Sequence, residues 1–286
     1  QLFLRFNMSK RREPAQRSRA RHKKSSASSY LPIFGGVLAL AILGAYMFTR
    51  PPPVDPSTFC AKNSSSIGIT ALLIDVSDEL SNAQAARLQN EIATISSTSE
   101  ERQSAFLKKG DKLVVYFVEA QGQAPSMVFS MCHPGDVENR SVSDSLSEGK
   151  IIASKKWQKF KTDTLMNIEQ KIDSSSDLDT SPLIEAIQYI RSKDFPPPAV
   201  MDQTNEYQFV IWSDMIQNSD EANHFSKLGN YKTVLKNNPM DLKGIGLSVF
   251  QLRSKRYSKF QTNEHVAWWR KFIAYANGEL NGWDPI

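Results

Sequence analysis

The chain has 286 residues, 40% of them hydrophobic and 23% charged, a balance that argues for a globular protein of one large or two small domains. Its formal net charge of +5 is unevenly placed. Residues 1–30 hold nine Lys/Arg against Glu13 alone, and Arg50 adds one more, so residues 51–286 carry −4 and the basic character belongs to the N-terminal tail.

Residues 1–30 are rich in Arg, Lys and Ser and bury too little apolar surface to fold alone, so the tail is expected to be disordered. The MSKRR that begins at Met8 reads as a natural start, and Gln1 to Asn7 carry no argument. Between Lys10 and Lys24 no Phe, Tyr or Trp interleaves with the charges, so base stacking has no platform and no specific nucleic-acid partner is expected.

Residues 31–49, LPIFGGVLALAILGAYMFT, carry no charge. As a helix they would span roughly 28 Å, close to the hydrocarbon core of a bilayer. A cleaved signal peptide would end in small residues, whereas this run ends in Tyr46, Met47, Phe48, Thr49 and Arg50, so a single uncleaved transmembrane helix is expected. The basic tail then lies in the cytoplasm and the rest outside it, an inner-membrane protein with a periplasmic C-terminal domain. Residues 50–64, with Pro51, Pro52, Pro53 and Pro56, read as a stiff spacer.

From 65 onward strand-like and helix-like runs alternate. Residues 67–74, 112–119, 127–132, 207–212 and 246–252 read as strands. Residues 82–95, 157–172 and 181–192 read as helices, the last with Pro182 near its first turn, and a final helix over about 264–277 is stopped by Gly278. This order predicts an α/β domain over 65–278 with a doubly wound, mostly parallel sheet, followed by a tail at 279–286.

The run ALLIDVSDELS, 71–81, ends an apolar strand in Asp75, Ser77 and Asp78. Oxygen donors at the carboxyl end of a strand suit a hard cation such as Mg²⁺, and helix capping by Asp75 and Asp214 is the alternative. Together with Thr180-Ser181 opening a middle helix and Ser213-Asp214 ending the strand YQFVIW, this pattern resembles the von Willebrand factor A domain. In that family a metal-ion-dependent adhesion site takes Asp-x-Ser-x-Ser from the first loop, Thr from the second and Asp from the third. The resemblance implies Asp75, Ser77 and Asp214 as metal ligands, with Thr180 or Ser181 supplying the hydroxyl. Glu79 stands where the family has its second Ser, and Met215 where it has a Gly, which makes the site degenerate. The implied function is a membrane-tethered module binding protein partners of the cell envelope, with Mg²⁺ as cofactor. A structural component with a non-functional metal site is the alternative.

Cys60 and Cys132 are the only cysteines, and in an oxidising compartment they are expected to pair. A Cys132-His133 nucleophile pair is disfavoured because adjacent residues at a strand end point apart. The run Asp173–Asp179 lacks the Gly and Glu of a calcium loop, and His22, His133, His224 and His265 show no metal or catalytic spacing, so no enzyme is expected. Trp268, Phe272 and Tyr275 are expected to face the core, and Trp269, with Arg270 and Trp283, offers a candidate exposed patch. Asn139-Arg140-Ser141 is an N-glycosylation sequence.

Overall fold

The computed structural model describes residues 31–48, 53–62, 67–95, 107–135, 137, 148–174, 178–226 and 229–286, so the basic tail and Asn139-Arg140-Ser141 lie outside the described residues. It divides into two units, Gln1–Arg50 and Pro51–Ile286. The first contains helix α1, Leu31–Phe48, whose side chains are described at 36–44, with Val37, Leu38, Leu40, Ile42 and Leu43 exposed. Among the described residues no helix is long and apolar enough to cross a membrane.

The second unit is the expected doubly wound α/β fold. Its strands are β1 (Ile69–Ile74), β2 (Lys112–Phe117), β3 (Ser126–Cys132), β4 (Tyr207–Ser213), β5 (Gly246–Gln251) and β6 (Glu279–Pro285), in the order β3-β2-β1-β4-β5-β6. All pairs are parallel except β2 with β3. Strand β1 is buried at all six positions, as a central parallel strand covered on both faces must be.

Alternation along the strands divides the core. Ala71, Leu73, Val114, Tyr116, Phe209 and Ile211 face one layer, built by α4 (Leu183–Asp194), α5 (Tyr231–Asn237) and α6 (Asn263–Tyr275). Leu72, Ile74, Val115, Phe117, Val210 and Trp212 face the other, built by α2 (Asn82–Ile95) and α3 (Lys150–Ser174). Helix α2 opens with reciprocal bonds in which Gln84 N donates to Ser81 Oγ at 3.3 Å and Ser81 N donates to Gln84 Oε1 at 3.0 Å. Helix α6 gives way to Asn277, which takes the left-handed conformation (φ 61°) one residue before the expected Gly278 stop.

Several expectations change. Residues 279–286 are not a tail, because Glu279–Pro285 is an edge strand parallel to β5. The spacer does not stand apart from the domain. Residues 53–62 fold into a turn in which Val54 bridges Ala61, and Cys60 is disulfide-bonded to Cys132 at the end of β3. Helix α3 starts at Lys150 rather than 157. The face of α6 is also reassigned: Trp269 is fully buried with Phe272 and Ile273, while Tyr275 is 54% exposed.

Candidate functional site

Strand order reverses between β1 and β4, and the crevice outside the carboxyl ends of these strands is where open α/β sheets bind ligands. The parallel register sets Ile74 beside Trp212, which brings Asp75 level with Ser213 and leaves Asp214 one residue further out. Asp75 N extends the ladder by donating to Trp212 O at 2.8 Å.

The Asp75 carboxylate, 2% exposed, is the hub of the site. Ser181 Oγ and Ser213 Oγ both donate to its Oδ2 at 2.9 Å, and Ser77 N donates to Oδ1 at 3.0 Å. Ser181 is held in place by a two-way bridge to Asn218, with N to O distances of 3.0 and 2.9 Å. Thr180 Oγ1 accepts from Gln121 N at 2.9 Å, so of the two hydroxyls it is Ser181 that bonds Asp75.

Asp214, 4% exposed, receives one bond, from Ile216 N at 2.8 Å to Oδ1. Burial pushes its carboxyl well above the usual carboxylate range, and the nearby charges of Asp75 and Asp78 push the same way. A buried carboxylate so placed holds a proton or calls for a cation. Asp75, Ser77, Asp78, Glu79 and Asp214 line one cleft of about 580 Å³ together with Arg253, Lys255 and Arg256. Glu79 is exposed, and Ser81 serves as the cap of α2. Capping of α2 therefore falls to Ser81 and not to Asp75.

Met215 has φ 64°, a region costly for a side-chain-bearing residue by roughly 1–2 kcal/mol. The backbone there is locked from below. Met215 O accepts from His265 Nε2 and Trp269 Nε1, each at 2.8 Å, while Met215 N donates to Ser213 Oγ at 2.8 Å. His224 stacks edge-on to His265 with centroids 4.6 Å apart and accepts from Gln217 N at 2.9 Å. Burial, and secondarily the neighbouring His265, lowers His224 to about 3. Burial also lowers His265. Gln261 ties the third loop to the end of β5, its Nε2 donating to Asp214 O at 2.9 Å and Leu252 O at 2.6 Å.

Asp75, Ser77, Ser181 and Asp214 thus lie close together around the tips of β1 and β4. Sequence reasoning missed the roles of Ser213 and Asp78, both visible beside the motif residues; Asp78 accepts from Ser254 Oγ. It also missed the His224–His265 pair, 41 residues apart, for which no local signal exists.

The donor set is all oxygen, with two buried carboxylates and the Ser77 hydroxyl at the cleft, which fits a hard cation keeping several waters. Among the described residues no group of three or more His, Cys, Asp or Glu is arranged to hold a metal ion. A larger groove of about 760 Å³ lies between the β2–β3 turn and α4, away from this site, and its charged groups are already paired: Glu119 with Lys171, and Arg191 with Asp241 O and Phe195 O.

No protein-family model and no curated relative matches the chain. Among solved structures it is similar to proximal thread matrix protein 1 of the mussel byssus, at 9% identity and TM-score 0.34, covering 74% of this chain and 48% of that one. The same byssus protein, solved with zinc in its MIDAS motif, matches at 6% identity and TM-score 0.33, over 76% and 44%. An aerotolerance-related membrane protein of Bacteroides fragilis matches at 12% identity and TM-score 0.28, over 64% and 66%. The chain spans about half the length of the byssus protein, and overlaps this loose transfer nothing to it.

Proposed function

We propose that residues 51–286 are a non-catalytic protein-interaction module, tethered outside a membrane through the uncharged sequence run 31–49, which captures an acidic side chain of an envelope partner in the cleft above β1 and β4. The observation that carries the reading is Asp214, a buried carboxylate beside Asp75 with one hydrogen bond and no cationic partner in contact among the described residues. Asp75, Ser77, Ser181 and Asp214 are the groups to hold Mg²⁺, directly or through water, and a bound cation would supply an open position for a carboxylate. Arg253, Lys255 and Arg256 in that cleft favour the same ligand charge. The Cys60–Cys132 disulfide supports an oxidising compartment, and the absence of any charge from 31 to 49 in the sequence is what motivates the anchor. A purely structural component is the second reading, favoured by Asp75, whose oxygens already accept three bonds.

Thermal unfolding of the full-length protein in detergent tests the choice. Mg²⁺ at one hundred times its Kd is expected to add about 2.7 kcal/mol, a Tm rise of roughly 5–10 °C. The rise and chelator-sensitive partner capture are both expected to vanish in Asp214→Asn. A wild-type protein indifferent to Mg²⁺ would leave only the structural reading.

A further inference from the structure

The chain enters the second unit at the amino-terminal end of its sheet, opposite the cleft. Cys132, bonded to Cys60, pairs in register with Lys112 at the start of β2, and Cys132 N donates to Thr58 O at 2.7 Å. The turn 53–62 is closed by Lys62 N donating to Pro53 O at 2.9 Å. The first turns of α3 pack on this same corner. Lys156 Nζ lies 5.9 Å from the Phe59 ring centroid, and Trp157 meets His133 edge-on at 5.1 Å. From there α3 climbs toward the cleft end, where its Lys171 pairs with Glu119 just beyond β2.

Exposed apolar side chains and lysines occur on both elements that meet at this corner. Ile151 and Ile152 are 74% and 54% exposed and Val54 is 42% exposed. Lys150 and Lys155 are exposed and form no ion pair with a described residue. Lys62 is exposed on the adjoining turn. Against them stand Asp55, whose carboxylate accepts from Ser57 N and Oγ, and Glu148, paired with Lys156. Chain length selects the occupant. Only residues 49–52 separate α1 from Pro53, and a chain of that length spans at most about 14 Å.

We propose that this corner, Val54 with Ile151, Ile152, Lys150 and Lys155, seats on an anionic lipid surface. The isoleucines enter the boundary between headgroups and acyl chains and the lysines meet the lipid charge. The proposal rests on the anchor reading above, since the short tether is what keeps the corner at the bilayer. It presents the Asp75–Asp214 cleft, at the other end of the sheet, away from the membrane.

Hydrogen exchange on the full-length chain in nanodiscs of phosphatidylcholine alone, or with phosphatidylglycerol, reads the contact directly. Amides of residues 150–156 are expected to exchange about fivefold or more slowly in the anionic discs. The difference is expected to disappear in Ile151→Ser with Ile152→Ser, and to shrink in Lys150→Glu with Lys155→Glu, while protection of β1 stays constant and certifies the fold. Equal exchange in both lipids overturns the proposal, as does protection that arises only when an envelope protein extract is added. Alkaline carbonate extraction of membranes carrying the chain separates the two failures. A chain washed off refutes the anchor, whereas a chain retained without lipid-dependent protection refutes the corner alone.

Discussion

Asp75 and Asp214 stand at the tips of adjacent parallel strands and are buried almost equally, but differ in their hydrogen bonding. The first accepts three hydrogen bonds, two of them from hydroxyls that reach it across the sheet from Ser181 and Ser213. The second accepts one and faces two other carboxylates. Carboxylates of nearly equal burial can thus differ in how many donors are aimed at them. The first loop is a finished polar network. The third loop retains an electrostatic demand that a proton or a cation satisfies.

The contrast breaks most severely at the first loop. Asp75→Ala leaves the Ser181 and Ser213 hydroxyls and the Ser77 amide without their acceptor, at a cost of about 3 kcal/mol. For a domain of this size that is a Tm fall of roughly 6–12 °C in calorimetry, and a change of under a degree or two would show that the network stabilises little.

The next effect is acid sensitivity beneath the third loop. His224 is lowered to about 3, so below its ordinary 6.5 the unfolded chain binds a proton that the folded chain refuses, and stability falls with pH. The loss is about 2 kcal/mol by pH 5, and His265, lowered by burial, adds in the same direction. Asp214 acts oppositely: its raised carboxyl takes up a proton in the folded state first, so its contribution improves as pH falls. Denaturant unfolding at pH 7 and pH 5 in the Asp214→Asn background isolates the histidines, and a stability unchanged between the two would mean the pair is not held neutral.

The smallest change carries the opposite sign. Asp214→Asn removes a buried charge while keeping an oxygen for Ile216 N, and in chelator it is expected to raise Tm by roughly 2–4 °C, about 1 kcal/mol. A lower Tm would show that the ionised carboxylate is compensated without metal.

Much of the sheet was legible because its central strands are continuous apolar runs, and α2 is found at its expected residues 82–95. The unread parts share a physical cause. Strand β6, ELNGWDP, has Gly282, Pro285 and only two strongly apolar side chains, since a parallel edge strand needs little burial. The first turn of α3 gave no helical periodicity because Ile151 and Ile152 face outward. Adjacent tryptophans offered no local reason to bury Trp269 rather than Trp268; the deciding bond is tertiary, from Trp269 Nε1 to Met215 O. In the site, Thr180 and Ser181 were separable only through the bridge to Asn218 that aims Ser181 at Asp75.

The covalent link from Cys60 to the end of β3 also has a mechanical meaning. A load applied between the cleft and the point where the chain enters runs nearly parallel to the strands, so the β1–β2 and β1–β4 hydrogen bonds are pulled in shear, many at once, instead of being unzipped one by one. Because the disulfide ties the turn 53–62 to the end of β3, that turn cannot separate from the sheet without breaking a covalent bond or unpairing β3.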